Sequence, residues 1–191
     1  MQLEIEGYYL RSLDTDDKEA FYKWSLDREV TIYSLSSYSY PQSKSDIEKW
    51  LSSINSDTKN VSFGVCCKEN DQLIGYAGIS GISFLNRSGE YFILIGEKSY
   101  WGRGIGTSVT QVVTDYAIRT LGLHRVQLTA SSQNLGAIKA YENAGYQHEG
   151  VMRQSGFRNG EFVDKVLMSV LSTEWAGIKK LFKVSTHSVL V

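Results

Sequence analysis

Apolar residues change rhythm several times along the chain, and each change predicts an element. Leu3 to Leu13, in LEIEGYYLRSL, reads as a strand. The acidic start Asp14, Asp16, Asp17 followed by Ala20, Phe21 and Trp24 suits one face of a helix, with Asp14 or Thr15 as its cap. After the Ser/Tyr-rich loop TIYSLSSYSYP, which holds the only proline, Ser45-Asp46-Ile47-Glu48 reads as a capping box. Ile47, Trp50, Leu51 and Ile54 then keep the i, i+3, i+4, i+7 spacing of a second amphipathic helix. Three strand-like runs follow, Val61 to Cys67, Leu73 to Ile79 and Glu90 to Gly96, the first two joined by the turn Lys68-Glu69-Asn70-Asp71.

The second half is more regular. Ile105, Val109, Val112, Val113, Tyr116 and Leu121 hold helical period up to Gly122, and Arg125 to Ala130 reads as a buried strand. Asn134 caps the helix AIKAYENA, Gly145 ends it, and Asn159-Gly160 forms a hairpin turn between Val151 to Phe157 and Phe162 to Leu171. The predicted order is strand, two helices, three strands, helix, strand, helix, two strands, which is an α+β (α/β) fold with seven strands and four helices. Residues 1–176 read as one domain and 177–191 as a tail. In that tail Lys179, Lys180 and Lys183 beside Leu181 and Phe182 suggest either disorder or a weak homodimer contact.

Charge and cysteine content narrow the function classes. The 20 Lys and Arg against 21 Asp and Glu give no global field for nucleic acid or an anionic membrane, so a ligand must be met by local groups. The N-terminal stretch lacks a basic segment followed by an apolar run, and no stretch of about 18 apolar residues occurs. The two cysteines, Cys66 and Cys67, are neighbours on a predicted strand, point to opposite faces and do not suit a bridge. Together these features predict a soluble cytoplasmic protein. His124 and His148 are isolated and lack metal-ligand spacing, so they read as structural, and no metal is expected. No G-x-S-x-G marks a serine hydrolase.

The stretch YWGRGIGTS, residues 100–108, carries the candidate chemistry. A strand running through a glycine-rich turn into a helix aims several backbone N–H groups at one point, where the helix dipole favours phosphate. Three ligands use such a turn, and a tight turn with close helix packing is the purely structural explanation. A dinucleotide site wants G-x-G-x-x-G and a later acid, but the glycines are Gly102, Gly104 and Gly106, and no Asp or Glu lies between Asp115 and Glu142. A triphosphate loop wants G-K-[ST], and neither Gly104 nor Gly106 precedes lysine. Coenzyme A is the ligand left.

Arg103-Gly104-Ile105-Gly106 together with Asn134-x-x-Ala137-x-x-x-Tyr141-x-x-x-Gly145-Tyr146 resembles the acetyl-CoA core of the GCN5-related N-acetyltransferases (GNAT). The ribosomal-protein and polyamine acetyltransferase-like branch is most similar, through YWG-[KR]-G, LGLHRV and the closing hairpin GFRNGEFVDKVLMSVL followed by EW. The resemblance spans about residues 8 to 175 and implies a mixed sheet splayed between its fourth and fifth strands, with pantetheine in the splay. It implies that backbone groups near Leu94 and Ile95 polarise the thioester. Trp101, Gly102, Arg103, Gly104, Ile105, Gly106 and Thr107 would face the pyrophosphate, and Asn134 and Ala137 the pantetheine arm. Trp101 departs from the family's usual Gln or Arg. Tyr141, two helical turns after Asn134, is then the acid for the leaving thiolate and Glu90 the base, with Asp27 and Glu29 as alternative carboxylates or as contacts for a cationic substrate. The expected reaction is direct acetyl transfer from acetyl-CoA to a small-molecule or peptide primary amine; a non-catalytic acyl-CoA sensor on the same fold is the alternative.

Overall fold

The computed structural model describes residues 2–34, 38 and 40–178. The tail from Lys179 onward, and with it the expected disorder or dimer contact, lies outside the described residues. Eight strands form one sheet in the order β1-β2-β3-β4-β5-β6-β8-β7. In chain order they are β1 (Leu3–Ile5), β2 (Tyr8–Ser12), β3 (Val61–Cys67), β4 (Leu73–Ser83), β5 (Ser88–Ile95), β6 (Arg125–Ser131), β7 (Gln147–Arg158) and β8 (Glu161–Leu171). The helices are α1 (Lys18–Leu26), α2 (Arg28–Thr31), α3 (Lys44–Ser53), α4 (Ile105–Arg119) and α5 (Leu135–Ala144). All neighbours pair antiparallel except β5 and β6.

The sheet separates two apolar cores. One face packs Ile79, Tyr91, Val126 and Leu128 against Ile105, Val109, Val112 and Val113 of α4 and Tyr141 of α5. The other packs Tyr76 and Leu94 against Phe21 and Trp24 of α1 and Ile47 and Leu51 of α3. Side-chain alternation along a strand assigns residues to these cores: on β5, Tyr91, Ile93 and Ile95 face α4, while Phe92 and Leu94 face α1 and α3. Cys66 and Cys67 fall into different cores, both free and buried, as their adjacency predicts.

Several sequence expectations shift. The first strand is two, because Gly7 at φ +73° turns the chain between Ile5 and Tyr8 into a hairpin. The sheet therefore has eight strands, and the splay falls between its fifth and sixth members. The capping box of α3 is Ser43 with Asp46: the Ser43 hydroxyl accepts from the Asp46 N–H at 3.1 Å and Asp46 accepts from the Ser43 N–H at 3.0 Å. Ser45 lies inside the first turn, and Ile54 is the C-cap. The four-residue α2 raises the helix count to five, capped by Asp27, which accepts from the Glu29 N–H at 3.0 Å. Asp14 caps as expected, although the turn it opens, Thr15–Asp17, is 3-10. Asn159 and Gly160, at φ +52° and +84°, make the hairpin turn between β7 and β8.

Candidate active site

The parallel pair supplies the opening. β5 and β6 are in register only at Ser88–Arg125, Gly89–Val126 and Glu90–Gln127; beyond Glu90 the strands diverge and leave a gap. The Gly96 N–H bonds to the Ile74 carbonyl at 2.9 Å. Antiparallel ladders alternate, so the backbone of Leu94, opposite Tyr76, is turned to β4, while Ile93 and Ile95 turn theirs into the gap. Of the two positions expected there, Ile95 has its backbone in the gap and Leu94 does not; Ile93 takes its place. The Ile95 carbonyl accepts from the Trp101 indole N–H at 2.8 Å, which fixes the strand end to the glycine turn.

That turn opens onto space that no described residue fills. Gly102 and Gly104 have φ +74° and +76°, and a Cβ built on either meets no atom within 4 Å. A Cβ on Gly106 meets only Ala140 Cβ, at an ordinary 3.8 Å. Close packing of the helix therefore does not explain these glycines. Gly104 is the N-cap of α4 and no side chain caps it, so the first-turn N–H groups of Ile105, Gly106 and Thr107 converge on open space. The Ile105 side chain is buried and anchors the helix, and the Thr107 hydroxyl donates to the Ala140 carbonyl at 3.4 Å. The Arg103 guanidinium lies over the Tyr100 ring, 5.0 Å from its centroid, beside the turn.

Three tyrosines cluster below the gap in edge-on and tilted contacts. Tyr141 of α5 has ring centroids of Tyr91 and Tyr146 at 6.1 and 6.3 Å. Tyr91 is hydrogen-bonded to Thr110 at 3.0 Å and Tyr146 to Thr114 at 2.8 Å, both threonines on the buried face of α4. Tyr141 is 8% exposed, and its hydroxyl has no hydrogen-bond partner among the described residues. Burial pushes its pKa up to about 12, so the phenol stays protonated. Asn134 caps α5 by accepting from the Ala137 N–H at 3.2 Å, which uses that N–H and leaves the Asn134 amide donors free.

Glu90 sits at the last paired position before the gap, exposed, with Thr129 Oγ1 3.4 Å from Oε1. It points to the α1–α3 face, while the ring of its neighbour Tyr91 contacts Tyr141 on the α4–α5 face. The two expected catalytic groups thus flank one strand from opposite sides. Asp27 and Glu29 are both bound to Lys98 at 2.8 Å, and the hydrogen bond to that cation holds the Asp27 carboxyl below its ordinary value. His124 bonds Ser172 at 2.8 Å and His148 bonds Glu142 at 2.9 Å. A pocket of about 210 Å³ between Trp24, Asp27, Gly96, Glu97 and Lys98 lies where α1 meets the end of β5.

Sequence reasoning missed the threonine partners and Ile93. Thr110 and Thr114, one helical turn apart and both buried, carry the available signal: polar residues on the core stripe of α4.

A family model described as an acetyltransferase (GNAT) domain matches residues 8–147. The chain belongs to the GNAT acetyltransferase family. This N-acetyltransferase is 26% identical over 176 residues to a Bacillus licheniformis protein called uncharacterized N-acetyltransferase p20, covering 92% of this chain and 98% of the relative. To the spermidine N(1)-acetyltransferase of Vibrio cholerae it is 29% identical over 103 residues, 54% of this chain and 59% of that protein. The crystal structure of a Vibrio cholerae spermidine N-acetyltransferase in complex with CoA and spermine shares its fold, with a TM-score of 0.79 at 24% identity over 88% of this chain and 98% of the other. The family uses acetyl-CoA, and the open glycine turn at the start of α4 fits the pyrophosphate of that donor.

Proposed function

We propose that the enzyme transfers acetyl from acetyl-CoA directly to a primary amine within a ternary complex. The observation that carries this reading is the Tyr141 hydroxyl, the one phenol of its cluster left without a protein partner beside a gap in the sheet. In this reading the N–H groups of Ile105, Gly106 and Thr107, with Arg103, hold the pyrophosphate. The free Asn134 amide donors and the gap-facing backbone of Ile93 and Ile95 hold the pantetheine arm, and an Ile N–H polarises the thioester carbonyl.

Glu90, on the other face, receives a proton from the incoming ammonium, directly or through water. The amine forms its bond to the acetyl carbon, the carbon–sulfur bond breaks, and Tyr141 donates to the departing sulfur. Burial pushes the phenol up to about 12, above the ordinary ~8.5 of a thiol, so full transfer to the sulfur is unfavourable. Tyr141 therefore acts by a hydrogen bond that strengthens as negative charge grows on sulfur; the second proton, lost by the nitrogen as the amide forms, passes to the thiolate through Tyr141 or solvent, so the phenol ends protonated.

Initial rates measured while acetyl-CoA and a turned-over amine are both varied test the ternary complex. Intersecting double-reciprocal lines, with no thiol released before amine is added, are expected. Parallel lines with a burst of thiol from enzyme and acetyl-CoA alone would establish an acetyl-enzyme and overturn direct attack.

A further inference from the structure

The open end of the gap is ringed by contacts between distant segments on the α1–α3 face. Lys98, just beyond β5, binds Asp27 and Glu29 beside and on α2. Arg28 of α2 donates to Asn159 Oδ1 at 2.7 Å, on the turn of the β7–β8 hairpin. From the same turn Arg158 donates to the Ser34 carbonyl at 2.9 Å, and β8 returns along β6 to close the circuit. An acceptor reaching Glu90 from this face passes this ring.

The charges of the ring and its walls are unevenly committed. Every carboxylate on α1, α2 and α3 is engaged: Glu19 by Lys44 at 2.7 Å, Glu29 by Lys98 at 2.8 Å, Glu48 by Lys18 at 2.9 Å, and Asp46 in its capping box. Asp17 is held by Arg11 at 2.7 Å and Glu97 by Lys23 at 2.8 Å. A polycation entering here finds Glu90 at the edge of the gap and Glu161 at the hairpin tip, but no cluster of free acids among the described residues. Arg28 and Arg158 are the reverse case. Among the described residues their partners are neutral oxygens, those of Asn159 for Arg28 and of the Phe157 and Ser34 carbonyls for Arg158. Neither has a carboxylate within 4.0 Å among the described residues, and the remaining residues of the chain contain no Asp or Glu. Each guanidinium has five N–H donors and uses one or two among the described residues, which leaves donors to offer an anion.

We propose that the acceptor is an amine whose molecule also carries a carboxylate or phosphate, that Arg28 and Arg158 bind this anion, and that polyamines are poor acceptors. The proposal rests on the acetyl-transfer reading above and names the substrate class of that site. It departs from the substrates named for the spermidine acetyltransferases that share the fold.

Matched acceptors at saturating acetyl-CoA test it: a short peptide with a free C-terminus against its amide, an amino-sugar phosphate against the amino sugar, and spermidine. The anionic member of at least one pair is expected to have a kcat/KM about tenfold above its neutral partner, chiefly through KM, with spermidine below both. The pair that responds tells carboxylate from phosphate. Replacing both arginines by Gln (R28Q, R158Q) keeps a hydrogen-bond donor and removes the charge, and should bring the ratio near one. Replacing both by Lys should keep most of it, and added salt should reduce it in the wild type. A ratio near one in both wild-type pairs, spermidine as the best acceptor, or an undiminished ratio in the Gln variant overturns the proposal alone. No turnover with any acceptor overturns the transfer reading and this proposal with it.

Discussion

The two faces of the sheet meet at one gap and are built from different materials. On the α4–α5 face the groups proposed to meet the donor are mostly backbone: a glycine turn, an uncapped helix start and strand N–H groups, with Tyr141 and Asn134 as the principal side chains. On the α1–α3 face the opening is framed by side chains paired across the chain, Lys98 with Asp27 and Glu29, Arg28 with Asn159, and Arg158 with the Ser34 carbonyl. A backbone site tolerates changes of side chain around it and suits a donor common to a whole family. A side-chain frame changes with each substitution, which suits selection among acceptors. In the proposed mechanism the chemistry sits where these two constructions touch, on the strand that carries Glu90 and Tyr91.

Two glycines separate the faces by experiment. Gly104→Ala places a Cβ among the converging N–H groups of α4 while meeting no protein atom. The left-handed conformation at φ +76° costs the fold only about 1–2 kcal/mol, so CoA affinity, measured by calorimetry, should fall by far more than stability, about 100-fold. On the other face a Cβ on Gly96 would lie 2.1 Å from the Trp24 ring. Gly96→Ala should therefore lower unfolding stability by about 1–3 kcal/mol, read by denaturant titration, with a smaller change in the CoA affinity of the folded protein. If Gly104→Ala loses stability and keeps CoA affinity, the turn is a folding device and the comparison of faces fails.

Legibility in the sequence followed the same division. The glycine turn, the Asn134 cap and the position of Tyr141 all depend on residues close in sequence, and local spacing announces them. The split of the first strand depends on whether Gly7 bends the chain, which a short alternating run leaves open. Placing Ile93 in the gap required the register with β4, a pairing that alternation along β5 alone leaves undetermined. The ring on the α1–α3 face joins residues 69, 124 and 131 positions apart, and no local pattern encodes such pairs. The identity of the mouth of the site is a tertiary property, whereas the donor side is written in motifs.

Comparing thiol release by Tyr141→Phe and the wild type, with saturating acetyl-CoA and a turned-over amine between pH 6 and 10, is the most direct test. Burial raises the phenol to about 12, so the donor stays protonated throughout this range and its loss should not reshape the profile. Both curves should share one shape, with the variant lower by about 100-fold and its CoA affinity within about twofold of wild type. Equal turnover by the variant, at unchanged CoA affinity, would contradict the role given to Tyr141.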